Sequence, residues 1–338
     1  MPAEPFPALD PEAAAGRIRG VLRRTPLQPF ALPDRLQEAL PGSVELRLKL
    51  ECLQETGSFK ARGAWNQVVL LDEAGRRAGV VATSSGNHAG ALAWAAARAG
   101  VPATLCMPAD AYPNKIEACR RLGASVLLAP DRRAAEAACA EKVRRGQRLV
   151  HPYDDPRTAE GAGTVGLEIA EDWPEVDLVL VPAGGGGLAS GLSVALRRLL
   201  GDRVRVLAVE PEGSPTLDLA LRAGQPVVVD PPRTRVQGLC PLDAGRLAVR
   251  VCRQTLDGVL HVRDEEVFAA QAWLVCQGGW TVEPAGAAAA AALLAGRVPA
   301  AMWEQAGRRP LRVAAVVSGG NPDPDQLRSL LAGGTGRA

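Results

Sequence analysis

Short apolar runs alternate with segments of helical composition along almost the whole chain, and this rhythm restricts the fold more than any other feature. Residues 44–51 (VELRLKLE) alternate strictly, which predicts a half-buried strand. The runs at 79–85, 103–108, 125–130, 177–183, 204–210 and 313–318 are apolar on both faces, as fully buried strands are. Between them, 89–98, 131–145, 190–200 and 265–276 have the composition of helices, and the alanine-rich stretch 285–295 reads as a buried helix. This order predicts an α/β fold in which parallel sheets are covered by helices on both sides. Ligands in such folds bind beyond the carboxyl ends of the strands, where loops lead into helices.

The 338 residues are 47% hydrophobic and 22% charged, the balance of a soluble globular chain with two domains or one large one. A net charge of +2 argues against a nucleic-acid or acidic-membrane partner. No run reaches the ~18 apolar residues of a membrane helix, and the acidic, proline-rich N-terminus has no signal-peptide core. Seven cysteines without CxxC spacing read as buried thiols in a reducing compartment, so a cytoplasmic location is expected. Three distant histidines without HExxH spacing give no histidine metal site.

Three glycine-bearing loops follow apolar strands. They are Thr83-Ser84-Ser85-Gly86-Asn87-His88, Pro182-Ala183-Gly184-Gly185-Gly186-Gly187-Leu188 and Ser318-Gly319-Gly320-Asn321. Four successive glycines between strand and helix let the backbone wrap an anion with its free N–H groups, which predicts a phosphate cradle. The compound is open at this level. Gly184-x-Gly186-x-x-Ala189 also satisfies the dinucleotide fingerprint, with Glu210 closing the next strand as a ribose-binding acid should. A P-loop is excluded, because Leu188 stands where the phosphate-binding lysine would.

Lysine usage adds a constraint. Four lysines stand against 35 arginines, so the chain uses arginine wherever a generic positive charge serves. Lys49 alternates on a strand face, and Lys115 and Lys142 fall in helical stretches read as solvated. Lys60 differs, lying in a Ser-Phe-Lys turn between Gly57 and Gly63. An amine can be deprotonated and can form a Schiff base, whereas a guanidinium cannot.

With this segment the sequence resembles the serine/threonine dehydratase and serine racemase family. The resemblance rests on TGSFKARGA around Lys60, the SSGNHA and GGGGL loops and the SGGN terminus, in family order over residues 51–321. Further echoes are His151-Pro-Tyr-Asp-Asp-Pro, Glu210-Pro211 and Val282-Glu283-Pro284-Ala-Gly-Ala287. The family implies the fold type II architecture of pyridoxal-phosphate enzymes. It consists of two three-layer α/β/α domains with the cofactor in the cleft between them. Residues 1–78 with 153–338 would form the large domain and 79–152 the small one. No C-terminal amino-acid-sensing domain is expected after the SGGN loop.

The resemblance also implies roles. Lys60 would hold pyridoxal phosphate as a Schiff base and then remove the substrate's Cα proton. Phe59 would pack against the ring. Gly184, Gly185, Gly186, Gly187 and Leu188 would hold the phosphate, Asn87 the phenolic oxygen and Ser318 the pyridine nitrogen. Gly238 and Glu283 would also border the cofactor, although a glutamate before Pro284 is equally an ordinary helix cap. Ser84, Ser85, Asn87 and His88 would face the substrate carboxylate. The expected reaction is β-elimination from L-threonine or L-serine, in a homodimer or homotetramer.

Some positions depart from the family. Many dehydratases have alanine at Ser85, whereas serine racemases have serine there and use it as an acid. Racemisation of serine or aspartate, or dehydration of a hydroxyaspartate or hydroxyectoine-pathway compound, therefore stays open. Val236-Gln237-Gly238 replaces Ala-Asp-Gly, and Gly90 replaces a glutamine. Relatives with a divalent cation use a glutamate, a carbonyl and an aspartate. Glu210 and Ser214 match the first two, but Thr216 occupies the aspartate position, with Asp218 two residues on. Mg²⁺, a monovalent cation and no metal are all compatible with that set.

Overall fold

The structure is a computed structural model that describes residues 9–334. It contains two parallel-sheet α/β domains. The larger sheet holds β1 (Leu27–Pro29), β2 (Val44–Leu50), β7 (Leu178–Pro182), β8 (Arg205–Pro211), β9 (Gly258–Val262) and β10 (Leu311–Val317). Their spatial order is β1-β2-β10-β7-β8-β9, parallel throughout except for the antiparallel edge strand β1. The smaller sheet holds β3 (Val80–Thr83), β4 (Ala103–Pro108), β5 (Ser125–Ala129) and β6 (Arg148–Leu149), in the parallel order β5-β4-β3-β6.

Strand order positions the site. β10 lies between β2 and β7, with Val317 level with Leu50. Three neighbouring parallel strands therefore deliver their carboxyl ends together, and the loops bearing Lys60, the four glycines and Ser318 start from those ends. β3, inside the smaller sheet, delivers Ser84 to His88.

The helices are built for close approach. In the helix Pro284–Leu294, every residue from Ala285 to Leu293 is buried, and its alanines pack with Val313, Ala315, Leu178 and Leu180 of the sheet. On the opposite face the helices Pro156–Asp172 and Gly187–Leu200 cross at glycines. A Cβ on Gly191 would stand 1.8 Å from the Ala159 carbonyl oxygen, so the crossing requires glycine there. The core beside the smaller sheet draws Ala61, Ala64, Trp65 and Val68 from the helix Lys60–Val69. The helix that begins at Lys60 thus packs against the helix Asn87–Ala99, which begins at the SSGN loop.

The sequence expectation for Lys49 needs correction. Strand β2 is not half exposed at that position: Lys49 is fully buried. Its Nζ donates to the Thr25 carbonyl at 2.7 Å and to Glu168 Oε2 at 2.5 Å. Fully buried Arg62 donates to Glu51 from Nε and Nη2 at 2.8 and 2.7 Å, and to Glu168 Oε1 at 2.7 Å. Two buried cations and two carboxylates therefore neutralise one another beneath the Lys60 helix, as buried charges must.

Candidate active site

Lys60 opens its helix directly after a turn stitched to the end of β10. The Phe59 N–H donates to the Ser318 carbonyl at 3.1 Å, and the Gly320 N–H donates to the Gly57 carbonyl at 2.8 Å. Gly57 adopts φ +71°, and a Cβ there would stand 2.6 Å from Asn321 Oδ1. The Lys60 Nζ donates to the Pro152 carbonyl at 2.7 Å and lies 4.9 Å from the centre of the Phe59 ring. Burial lowers its pKa to about 8, with Glu283 opposing the shift. The amine is therefore neutral in about a tenth of molecules at pH 7, far more than an ordinary lysine.

Between β7 and the helix Gly187–Leu200, the backbone N–H groups of Gly184 to Leu188 have no acceptor among the described residues. Gly186 adopts φ +82°, and its missing Cβ would stand 2.4 Å from Ala248 Cβ. A Cβ on Gly185 would fall 2.3 Å from the Tyr153 ring. The Tyr153 hydroxyl in turn donates to Asp243 Oδ1 at 3.1 Å. The loop is a concave set of unsatisfied donors at a helix N-terminus, closed on one side by an aromatic ring.

A polar relay crosses the cleft between the two sheets. Asn321 Nδ2 donates to Asn87 Oδ1 at 2.9 Å, and Asn87 Nδ2 donates to Glu283 Oε1 at 2.5 Å. Glu283 precedes the helix Pro284–Leu294 but makes no side-chain cap, so the capping alternative does not apply. Burial raises its pKa, and the Asn87 bond is the largest opposing influence. Gly238 lies below this carboxylate, its missing Cβ 2.5 Å from Ala285 Cβ and 3.9 Å from Glu283 Oε1. Buried Ser318 donates from Oγ to the Ala285 carbonyl over a long 3.4 Å.

The SSGN loop is half-buried. Ser84 Oγ accepts from the Gly86 N–H at 3.2 Å, while the Ser85 hydroxyl has no partner among the described residues. His88 turns away from the loop. Its Nε2 lies 2.8 Å from the Val150 carbonyl, so that nitrogen carries the hydrogen and Nδ1 is left buried without a partner. Burial lowers the His88 pKa to about 3.

These strand ends carry an amine, an anion cradle and a hydroxyl on one cleft, and the family follows from a comparison of the sequence. A family profile described as "Pyridoxal-phosphate dependent enzyme" matches residues 18–320. The chain belongs to this family. Among its relatives is an L-threonine ammonia-lyase of Thermotoga maritima, 38% identical over 95% of this chain and 77% of the relative. An L-threo-3-hydroxyaspartate ammonia-lyase of a Pseudomonas species is 36% identical over 95% of this chain and 97% of its own. Among solved structures, maize serine racemase superposes with a TM-score of 0.87 at 31% identity, covering 97% of this chain and 98% of that one.

The residues present fit pyridoxal phosphate. The cradle has room only because Gly185 and Gly186 lack Cβ atoms, its donors are unspent, and Lys60 is an amine that readily loses its proton. The dinucleotide reading fails with the family match, and the geometry of Glu210 explains why. Its carboxylate accepts from the N–H groups of Leu217 at 2.7 Å and Asp218 at 3.0 Å and so caps the helix Thr216–Ala223. The same engagement bears on a cation. Burial pushes Glu210 up to about 8, and the described residues contain no group of three or more His, Cys, Asp or Glu placed to hold a metal ion. A hard cation wants several charged oxygens, so no step is assigned to one.

Sequence reasoning did not single out the Pro152 carbonyl, Tyr153, Asp243 or Asn321 as site groups. Pro152 and Tyr153 lie within the His151-Pro-Tyr echo and Asn321 within the SGGN loop, so those motifs held the signal. Asp243 had none. Lys115, read as solvated, is partly exposed.

Proposed function

We propose that the chain is an ammonia-lyase. It converts L-threonine to 2-oxobutanoate and ammonia, and L-serine to pyruvate and ammonia, by β-elimination. The observation that carries this reading is Lys60, an amine brought to about 8 by burial at the meeting point of three strand ends. The ammonia-lyase relatives named above support the reaction class.

Bound pyridoxal phosphate supplies an aldehyde for amino groups and a ring that accepts electrons when the Cα–H bond breaks. Lys60 would hold the cofactor through its amine and, when free, would take the Cα proton at Nζ. The N–H groups of Gly184, Gly185, Gly186, Gly187 and Leu188 hold the phosphate, and Phe59 and Gly238 border the ring. Asn87, fixed between Asn321 and Glu283, would hold the phenolic oxygen. Ser318 offers the ring nitrogen a neutral hydroxyl rather than a carboxylate, which favours prompt loss of a β-leaving group over transamination. Ser84 and Ser85 receive the substrate carboxylate at the start of the helix Asn87–Ala99.

The test is direct. Protein purified with pyridoxal phosphate should be yellow, and borohydride reduction should fix the cofactor on Lys60. L-threonine should yield 2-oxobutanoate, measured by lactate dehydrogenase coupling. A colourless protein, or a yellow one that releases no keto acid from either substrate, would overturn the proposal. Racemisation is a second reading, favoured by the unpartnered Ser85 hydroxyl. Chiral analysis of recovered serine decides it, with Ser85→Ala expected to lower D-serine formation more than pyruvate formation. We further propose a homo-oligomer in the cytoplasm. The seven cysteines are all free, and no described helix is long and apolar enough to cross a membrane. Light scattering after size exclusion tests the oligomer.

A further inference from the structure

The carbonyl that receives the Lys60 amine belongs to a turn closed by an imidazole. His151 Nδ1 accepts two backbone N–H groups, from Asp154 at 2.8 Å and from Tyr153 at 3.4 Å, so the ring hydrogen is on Nε2. The imidazole also meets the Tyr153 ring edge-on, with centroids 4.7 Å apart. The Tyr153 N–H and the Pro152 carbonyl belong to one trans peptide, in which the two groups point in opposite directions. One end of this plane therefore faces the imidazole. The other faces Lys60 Nζ, 2.7 Å from the carbonyl oxygen.

The flanking groups are anchored separately. The His151 carbonyl accepts from Gln67 Nε2 of the Lys60 helix at 3.3 Å and from Thr158 Oγ1 at 2.9 Å. Asp154 Oδ1 accepts from the Leu247 N–H at 2.8 Å. Between these anchors the Tyr153 N–H has no acceptor but His151 Nδ1 among the described residues. The imidazole faces Lys60, His88, Asp154, Asp155 and Asp243. Burial lowers its pKa, with Lys60 acting in the same direction and the three carboxylates opposing. It is therefore neutral, and able to accept, over the range in which Lys60 titrates.

We propose that His151 is a positioning residue for Lys60. By holding the Tyr153 N–H it fixes the peptide whose carbonyl receives the amine, and so fixes where that amine stands when it is free. The effect is larger once Lys60 has taken the substrate's Cα proton. The C–H bond breaks and leaves its electron pair on the carbon side, and the new N–H bond makes Nζ an ammonium. A carbonyl holds an ammonium more strongly than it holds an amine. The proton transfer rests on the ammonia-lyase reading above, whereas the placement of the amine does not.

The test compares His151→Leu, which has no acceptor, with His151→Asn, whose Oδ1 can stand where Nδ1 does. Both lose the ring contact with Tyr153, so their difference reports the acceptor alone. Two measurements use apoprotein. Capture of pyridoxal phosphate is followed against pH, and affinity for pyridoxamine phosphate, which has no aldehyde for Lys60, reads the phosphate cradle by itself. Capture by the wild type should level off at a pH of about 8. In the Leu variant that point should move down by about one unit, because an ammonium without its acceptor loses its proton more readily. The Asn variant should stay near the wild type, and both variants should bind pyridoxamine phosphate equally. With L-threonine, kcat should fall about 10- to 100-fold in the Leu variant at nearly unchanged KM, the scale of a misplaced reacting group, and Asn should recover most of it. Equal capture profiles in Leu and Asn would overturn the proposal, and so would unequal pyridoxamine phosphate binding, which would put the effect in the cradle. If the wild type forms no keto acid, the ammonia-lyase reading fails and the capture profile alone decides the role of His151. If the Leu variant does not fold, nitrogen NMR of wild-type apoprotein labelled at histidine decides instead. An unprotonated His151 Nδ1 whose shift follows the titration of Lys60 supports the role, and a protonated Nδ1 or an indifferent one overturns it.

Discussion

The Lys60 ammonium rests on the Pro152 carbonyl, 2.7 Å away, with no carboxylate among its hydrogen-bond or ion-pair partners. A neutral acceptor does little to hold the proton, so burial controls the amine and brings its pKa to about 8. Only the unprotonated amine attacks an aldehyde. The rate at which apoprotein captures pyridoxal phosphate should therefore rise about tenfold per pH unit below 8 and level off above it. Stopped-flow growth of the visible band checks this, and a rate flat from pH 6.5 to 9 would refute it.

Lys60→Arg keeps the charge and removes the reactive amine. It should abolish the borohydride-fixable band and lower keto-acid formation by about a thousandfold or more, the scale of losing a nucleophile and base together. Retained turnover would show that another group moves the Cα proton.

The contact between Gly185 and the Tyr153 ring gives a prediction with its own control. In Gly185→Ala the new Cβ would fall 2.3 Å from the ring, so either the ring or the cradle must move. Overpacking of this kind costs about 1–3 kcal/mol. Cofactor affinity should fall, and Tyr153→Ala on top of it should recover part of the loss. A double-mutant cycle on the pyridoxal-phosphate Kd measures the coupling, and additive effects would exclude the contact as the cause.

His88 predicts an acid limit to stability. Its folded pKa is lowered to about 3 from an ordinary 6.5, so the folded protein holds it neutral while the unfolded chain binds a proton. The stabilisation is fully present above pH 6.5 and is lost as pH falls toward 3, at about 1.4 kcal/mol per pH unit. His88→Gln keeps an N–H for the Val150 carbonyl but cannot titrate. Urea unfolding from pH 4.5 to 7.5 should show a slope shallower by one proton in the variant, and equal slopes would contradict the assignment.

The fold and the site differ in how much of each could be read from the chain. Strands β3, β4, β7, β8 and β10 were legible because strands covered on both faces are continuous apolar runs, whereas β5, an equally apolar run read as fully buried, is an edge strand that leaves Ser125 and Leu128 exposed. β6, two exposed residues, and β9, half-buried over most of its length, carry too little apolar signal. The phosphate cradle was legible because glycine alone permits it. Asp243 was not, since its bond to Tyr153 joins residues ninety positions apart, which periodicity cannot register. Lys49 was misread for a related reason. A charged residue in an alternating strand or a polar helix looks solvated until its distant neighbours are known.

Lys49 supplies the last prediction, because its burial makes even a charge-conserving substitution a packing problem. The ammonium is fully buried and bonded to the Thr25 carbonyl and Glu168. Desolvation by burial lowers its pKa even with Glu168 beside it. A guanidinium brings extra volume and five donors into a space already shared with Arg62, which donates to the same Glu168. Lys49→Arg should therefore destabilise the protein by about 1–3 kcal/mol although charge is conserved. Glu168→Gln should cost more, about 3–5 kcal/mol, because it leaves two buried cations with one carboxylate. Denaturant midpoints of the apoprotein separate these effects from cofactor binding. If Lys49→Arg were neutral, the four charges would have to rearrange freely, and the rigid base assigned here to the Lys60 helix would be wrong.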